Sequence, residues 1–443
     1  MKHLRKFNSV SEMNTVIANS TIGILGLAFN GSTPVLKIKS GGSPVPPAPD
    51  PTTPFYIEDV SGSSNTVQIT KSSSNAPTLT IEKSTDGETW ESMGSTSTTA
   101  ITATVPANGK LYLRCNTTSW CNGWNGQNGI NTTGNCNLGG NIMSLLYGSN
   151  FTGNETTFPS GSTHTFHGTF DGNSHIINPS NLLLPSTTMT DNCYTYLFKN
   201  CTSLISAPVL PATTLAYECY RQMFAGCTSL TTAPELPITT LADDCYIAMF
   251  MDCTSLASAP ALPATTLASE CYQEMFAGCT SLTTAPALPA TTLTNNCYSN
   301  MFNGCTSLTT APELPATTLA QNCYGAMFNG CTSLTTAPEL PATTLANGCY
   351  QSMFKGCTLL TTTPDLLATT LVDQCYRQMF YNCTNLNYIK CLATYVYANE
   401  CVYQWAYGVA VNGTFVKDPN ITTSQWGIGI HGIPEGWTVQ DAS

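Results

Sequence analysis

Two rows of cysteine residues recur along this sequence at a fixed spacing of 26 residues. The Cys-Tyr pair occurs from Cys193 to Cys375, and the row continues to Cys401, where valine replaces the tyrosine. The second row runs from Cys201 to Cys383. A period of this length is typical of repeat arrays, in which one unit cannot bury its apolar face alone and packs on its neighbours. The rows therefore predict a repeat architecture over residues 192–389.

The pattern inside one repeat predicts a short helix followed by a short strand. Leu241, Cys245 and Met249 are spaced like residues on one face of a helix, which we expect over residues 241–251 with Thr240 as N-cap. The residue before every second-row cysteine is Gly, Asn or Asp, which predicts a positive φ and a left-handed helix cap. Leu256 and its equivalents should point inward from the strand, which a proline then ends.

The repeated phrase MFxGCTSLTTAPxLPATTLA resembles the BspA-like leucine-rich repeats of surface proteins from gut and oral anaerobic bacteria. The resemblance covers about residues 192–401, and residues 413–419 and 432–439 resemble the closing segment of such proteins. It implies a parallel solenoid with a role in adhesion or in matrix or host-surface binding. Because strands stack more closely than helices, the array should curve, with its strands on the concave side.

The expected fold class is mainly β with α. We expect a small N-terminal docking unit, a β-sandwich-like domain, and a curved leucine-rich-repeat α/β solenoid of 26-residue repeats with a C-terminal cap. The predicted domain bounds are 1–42 for the docking module, 43–54 for a proline-rich linker, 55–160 for the β domain, 161–191 for an N-terminal cap, 192–389 for the repeats and 390–443 for the C-terminal cap.

The first 42 residues are predicted to form a docking module. A capping-box pattern at residues 9–12 should open a short helix, and strands over 24–29 and 35–39 should be joined at the Asn30-Gly31 hairpin signal. A unit of this size needs a partner to complete its core. It resembles the N-terminal attachment modules of structural proteins in phages of gut bacteria. The expected attachment residues are Lys2, Arg5, Phe7, Ile24, Leu25, Val35 and Ile38.

Six prolines in residues 43–54 predict a stiff, extended spacer. In the β domain that follows, Asp86-Gly87 and Asn108-Gly109 should mark hairpins. Terminal repeats are atypical, so a first rung is expected at about 166–177. Strands are predicted over residues 56–60, 67–70, 79–83, 101–105, 111–114 and 142–147.

The cysteine rows allow three interpretations. A zinc site needs four converging ligands, whereas this ladder spreads its thiols along the array without accompanying histidines. Disulfides within one repeat, such as Cys219–Cys227, stay open as an alternative, and buried free thiols are the favoured interpretation. His164, His167 and His175 are spaced as a strand face or a weak metal pair, and core or solvated histidines are favoured over ligands.

Charge and motif content exclude several classes of function. Only 9% of residues are charged and the net charge is −11, which argues against nucleic-acid binding because that needs many cations. The sequence contains no run of 18 apolar residues, so no membrane span is predicted. The basic first residues match an export signal poorly. No nucleophile elbow, phosphate loop or catalytic pair occurs, so we expect a non-enzymatic protein without cofactor or metal.

Repeated threonines and clustered C-terminal aromatics are the candidate binding groups. Thr-Thr pairs can hydrogen-bond a repetitive polymer, with a merely solvated surface as an equal alternative. Aromatic rings stack on sugars or anchor interfaces, with a hydrophobic end cap as the alternative. The candidate binding residues are Thr231, Thr232, Thr283, Thr284, Thr309, Thr310, Thr335, Thr336, Tyr403, Trp405 and Tyr407.

These features predict a display protein on the surface of a bacteriophage virion, a head or tail fibre or decoration protein that binds host surface glycans or mucus. The N-terminal module would bind a virion structural protein, and the chain would form a homo-oligomer, since fibres are usually symmetric. Phage proteins leave by lysis without an export signal, and folding in a reducing cytosol agrees with free thiols. The alternatives are a BspA-like bacterial cell-surface adhesin and a structural spacer with a binding tip.

Overall fold

The computed structural model describes residues 48–443, together with the backbone of residues 5–6, 24–30 and 33–38. The chain divides into two compact units, Met1–Pro49 and Asp50–Ser443. Strands dominate the regular secondary structure of the described residues, and helices are limited to two four-residue segments and one 3₁₀ turn. The expectation of a mainly β fold is therefore confirmed, whereas its helical part is wrong.

The first unit contains a three-stranded antiparallel sheet in the order β1-β3-β2, with β1 at Arg5–Lys6, β2 at Ile24–Asn30 and β3 at Thr33–Ile38. The pairing of Asn30 with Thr33 confirms the predicted hairpin, and β1 was not predicted. Lys2, Phe7 and the predicted helix lie outside the described residues, as do the side chains of the other predicted attachment residues.

The second unit begins with a β region built from two sheets. Its strands are β4 (Tyr56–Asp59), β5 (Asn65–Lys71), β6 (Thr80–Ser84), β7 (Glu91–Ser95), β8 (Ile101–Val105), β9 (Lys110–Cys115), β10 (Asn128–Thr132), β11 (Cys136–Asn141) and β12 (Ile176–Leu183). One sheet has the order β10-β5-β8 and the other the order β12-β11-β4-β9-β6-β7. Alternate residues of β5 and β9 are buried, and Val67, Ile69 and Leu111 join one common hydrophobic core.

Five of the six strands predicted here are confirmed within a few residues, and the sixth is wrong. Residues 142–147 instead contain the short helix α1 (Ser144–Tyr147), followed by a 3₁₀ turn at Gly148–Asn150. Asp86-Gly87 joins the paired strands β6 and β7 as predicted, whereas Asn108-Gly109 connects β8 to β9 in the other sheet. Strands β10 and β11 were missed because they carry Asn and Gly, which are depleted in strands.

Each repeat contains a turn segment, which runs from the Cys-Tyr pair to the residue before the second-row cysteine (219–226 in one copy). The helix predicted over 241–251 is wrong, because these residues form consecutive turns. The φ angle is positive at every fourth residue, here at Asp244 (60°), Ala248 (49°) and Asp252 (58°), whereas an α-helix requires a negative φ throughout. The positive φ predicted before each second-row cysteine is confirmed, although it caps no helix. Thr240, the predicted N-cap, instead forms a parallel bridge with Thr266.

Two sets of backbone hydrogen bonds satisfy the amides of the turn segment. The amides of Tyr220 and Gln222 donate to the next repeat, at 3.0 Å to Cys245 and 2.8 Å to Ile247. The intervening amide of Arg221 donates instead to the carbonyl of Glu218, three residues back along the chain. Since the same alternation recurs in successive copies, backbone hydrogen bonds connect the turn segments of neighbouring repeats whatever their exposed side chains are.

Buried side chains of the turn segments stack in columns. Tyr220 lies 5.8 Å from Tyr246 with an angle of 2° between the rings, and Phe224 lies 5.7 Å from Phe250 with the same angle. Both columns continue to the segment before the first Cys-Tyr pair, where Phe166 stacks on Tyr194. The stacked units therefore begin upstream of Cys193.

The remaining residues of each repeat form the threonine segment, which runs from the second-row cysteine to the next Cys-Tyr pair (227–244 in one copy). Leu256 is fully buried, as predicted. Strand pairing is reduced to isolated parallel bridges, such as Ser258 with Thr284 and Thr284 with Thr310. The prolines explain this, because they lack the amide that a continuous ladder requires.

The C-terminal end is closed by a three-stranded parallel sheet and a short helix. The sheet has the order β13-β14-β15, with β13 at Tyr388–Cys391, β14 at Thr414–Lys417 and β15 at Thr438–Asp441. The helix α2 (Thr423–Trp426) has a complete capping box at its N-terminus. Trp405 stacks on Tyr376 and Trp426, so the aromatic column ends in this sheet and helix.

Candidate binding surfaces

All eight candidate threonines are exposed. Some of their hydroxyls also have a structural role: Thr231 Oγ1 donates to the carbonyl of Ile205 at 3.3 Å, and Thr309 Oγ1 to that of Thr283 at 3.5 Å. A hydroxyl that donates in this way can still accept a hydrogen bond. The structure thus places the candidate threonines on an accessible surface. Some of them also stabilise the contact between neighbouring repeats through their hydroxyl groups.

The C-terminal aromatic residues divide into buried and exposed groups. Trp405 is fully buried and its Nε1 donates to the carbonyl of Gly432 at 2.8 Å, so the prediction that Trp405 contacts a ligand is wrong. Its ring fills the end cap. Tyr407 is exposed and stacks on Tyr381 at 5.2 Å, while Tyr403 is half-buried and stacks on His431 at 4.7 Å.

Trp124, from the β region, covers two histidines at the start of the array. Its ring lies 6.0 Å from His164, 4.9 Å from His167 and 5.7 Å from Tyr196. Burial lowers the pKa of His167 to about 4 and also lowers the pKa of His164, so both rings are neutral at pH 7. The described residues contain no group of three or more potential ligands that could hold a metal ion.

Every one of the 21 cysteines is buried and unbonded to another cysteine. Second-row thiols donate to a carbonyl of the preceding repeat, as Cys279 Sγ does to Phe250 at 3.0 Å. Burial raises the pKa of the thiols, for instance to about 12 in Cys305. They are neutral side chains that pack in the core and provide a weak donor, and they are not reactive nucleophiles.

Two kinds of cleft lie between repeats. Prolines and leucines line clefts of about 300 to 410 Å³ in the threonine segments, and neighbouring clefts share residues such as Pro312 and Pro286. A polar cleft of about 210 Å³ lies around Gly325, lined mainly by turn-segment residues of three consecutive repeats and also by Asn296 and Asn322, which directly precede two of these segments. This polar cleft was not predicted from the sequence. Its sequence signal is the dipeptide after each Cys-Tyr pair, which differs between copies that are otherwise nearly identical.

The fold and its surfaces define a class of protein only in structural terms, as an array of stacked turn repeats between a β region and an aromatic end cap. The chain matches no family model, no curated protein and no solved structure in the comparisons. Across the part of the chain that the structure describes, no helix is long and apolar enough to cross a membrane.

Proposed function

We propose that this chain is a non-enzymatic display protein of a bacteriophage virion, a head or tail fibre or decoration protein, which binds host surface glycans or mucus. In this proposal the stacked repeats form a solenoid of the BspA-like leucine-rich-repeat type, which extends from a sandwich-like β region. The N-terminal unit binds a virion structural protein, and the chain forms a homo-oligomer. The observation that carries the proposal is the regular, exposed row of uncharged hydroxyl groups along the repeats.

Neutral polar surfaces suit a glycan ligand because sugar hydroxyls pair with hydroxyl and amide groups and need no counter-charge. Exposed Thr-Thr pairs recur in most repeats, with Ile205-Ser206 and Ala257-Ser258 in their place in two copies, so a polymer with its own period can contact several copies at once. The separate N-terminal unit supports a division between attachment and display. Free buried thiols agree with folding in a reducing cytosol before lysis.

Fractionation of a producing culture tests the location. We expect peptides of the N-terminal unit, including residues 2–6, in purified phage particles at amounts comparable with other virion proteins. A membrane-localised chain that lacks these residues would reject the virion proposal and favour a bacterial cell-surface adhesin. Binding of the purified full chain to immobilised mucin tests the second half of the proposal, and absence of binding would favour a structural spacer.

A further inference from the structure

We infer that the polar cleft around Gly325 is a binding subsite for one neutral sugar residue of a glycan. The inference rests on the proposed glycan binding and places it in the turn segments, away from the threonine row. A volume of about 210 Å³ equals roughly seven water molecules at about 30 Å³ each, which is the scale of a single small polar molecule.

The cleft lies where the dipeptides of three consecutive repeats combine short side chains, at Ser299, Gly325 and Ser352, with the longer Asn300 and Gln351. The dipeptides after Cys-Tyr are Ser299-Asn300, Gly325-Ala326 and Gln351-Ser352 in these copies, whereas a copy further along has Arg377-Gln378. Gly325 has no side chain, and a Cβ at this position would lie 3.3 Å from the carbonyl oxygen of Asn322 and 3.6 Å from Ser299 Oγ. Since neighbouring copies hold longer side chains at this position, the depression is local to these repeats and does not run along the whole array.

The lining of the cleft is uncharged and rich in hydrogen-bonding groups. Asn300, Asn322 and Gln351 contribute amides, and Ser299 and Ser352 contribute hydroxyls. An amide carries both donors and acceptors, as a sugar hydroxyl does, so this lining discriminates against anions and cations and favours a neutral polyhydroxylated ring.

Several of these groups are left without a partner. Ser352 is only 9% exposed, and its hydroxyl bonds to no other described residue although it lines the cleft. The side-chain amides of Asn322 and Gln351 likewise have no partner among residues 48–443. Gly348 makes room for Asn322, because a Cβ at Gly348 would collide with Asn322 Oδ1. Ser352 is the most enclosed of these residues, whereas Asn322 and Gln351 are half-buried, so the cleft presents unpaired donors and acceptors to a polar ligand.

Saturation-transfer NMR on the full chain tests the subsite with glucose, galactose, mannose, fucose, N-acetylglucosamine and N-acetylgalactosamine, and with sialic acid as the anionic comparison. Isolated sugars should bind weakly, with Kd on the order of 1 mM. We expect at least one neutral sugar to give a signal and sialic acid to give none. Absence of signal from all the neutral sugars would overturn the inference, as would binding of sialic acid alone.

Two substitutions and one control locate the signal. Gly325→Gln fills the cleft with the side chain that the next repeat carries at this position, so the fold should tolerate it, and binding should weaken at least tenfold. Ser352→Ala, which matches Ala326 in the preceding repeat, should weaken binding about three- to tenfold through one lost hydrogen bond. Ala277→Asn is the control, because it lies in another turn segment and outside the lining of the cleft. It introduces the residue that the following repeat carries as Asn303, and it should leave binding unchanged.

The outcomes separate the subsite from the proposed function. Unchanged sugar binding in Gly325→Gln would overturn the subsite, and mucin binding by the same variant would leave the display proposal intact. Sugar binding that Gly325→Gln abolishes, in a chain absent from phage particles, would support the subsite and reject the virion location. Circular dichroism of each variant should match that of the parent chain, which excludes unfolding as the cause of lost binding.

Discussion

The turn segment and the threonine segment of each repeat achieve stacking by different means. In the turn segment, backbone amides bond directly from one repeat to the next, so the exposed side chains contribute little to the stacking and differ between copies. In the threonine segment, backbone bridges are isolated, and the contacts depend on buried leucine and on threonine hydroxyls that bond to the preceding repeat. Sequence variation is therefore tolerated where the backbone supplies the contacts and restricted where side chains supply them.

The same contrast separates two candidate kinds of binding surface. The threonine row is nearly uniform, with Ile205-Ser206 and Ala257-Ser258 as its exceptions, and suits a ligand that repeats along the array. The turn segments differ from copy to copy and suit recognition at one place. The polar cleft around Gly325 is of the second kind. Substitutions that weaken one segment and spare the other test this division.

Removal of an aromatic ring from the buried columns should have the largest effect. Phe250 is fully buried between Phe224 and Phe276, so Phe250→Ala should destabilise the array by about 3–5 kcal/mol through lost burial and a cavity. Urea unfolding measures the loss. Hydrogen exchange should quicken in the adjacent turn segments first. Protection that falls equally across residues 48–443 would show that the repeats do not depend mainly on their neighbours.

Lowering the pH should reduce the stability of the first stacked units, by less than the loss of a ring from the aromatic columns does. The pKa of His167 is about 4 in the folded chain against 6.5 as its ordinary value, because burial disfavours the charged ring. Because the pKa of His167 is lower in the folded chain than in the unfolded chain, its neutral ring contributes stability above pH 6.5. This contribution is lost as the pH falls towards 4. Asp191 and Glu218 favour protonation of the neighbouring His164, whereas Lys199 opposes protonation of His167.

The expected loss from His167 alone between pH 7 and pH 5 is about 2 kcal/mol. Urea unfolding of the full chain at the two pH values measures it. His167→Phe serves as the matched variant, since it keeps a ring against Trp124 and removes the titrating group. An equal pH dependence in this variant would exclude His167 as the cause.

Replacing a cysteine with alanine should cost more stability in the second row than in the Cys-Tyr row. Cys279 bonds to the carbonyl of Phe250, whereas the thiol of Cys271 has no such bond to a described residue. Cys279→Ala should therefore cost about 2 kcal/mol, roughly 1 kcal/mol more than Cys271→Ala, and Cys279→Ser should recover part of the difference. Thermal unfolding compares the three variants. Equal costs in the two rows would leave the thiol–carbonyl bond without a measurable contribution.

The sequence predicted the period, the buried cysteines, the inward leucines and the Asn30-Gly31 hairpin, because each depends on a local pattern or on a burial preference. The helix failed for a specific physical reason. Residues at i and i+4 share one side both in an α-helix and in a chain with a turn every four residues, so Leu241, Cys245 and Met249 satisfied both patterns. Positive φ at Ala248 has no signal in its residue type.

The candidate sites were predictable to different degrees. The exposed threonines followed from their repetition. Trp405 was misassigned because a sequence does not show that Gly432 and Trp426 enclose its ring. The polar cleft depends on Ser299, Gly325 and Ser352 from three repeats, and their proximity is visible only once the repeats are stacked.

Removal of threonine hydroxyls should have the smallest effect per residue and tests the division between segments most directly. Thr231, Thr254 and Thr309 each donate to a carbonyl of the preceding repeat. Valine keeps the shape of threonine and lacks the donor, so each substitution should cost about 0.5 kcal/mol. The sites lie in different repeats, so the triple variant should lose about 1.5 kcal/mol in urea unfolding.

A triple variant of the turn segments is the control, since each change copies another repeat. Gln273→Ser, Ala277→Asn and Asn329→Ala alter half-buried positions whose carbonyls already accept a hydrogen bond from an amide of the preceding repeat, so together they should change stability by no more than about 0.5 kcal/mol. If the turn variant instead proved the less stable of the two, side chains would stabilise the turn segments as well. The variability of these positions would then need an explanation other than structural tolerance, and selection for a ligand would be the stronger one.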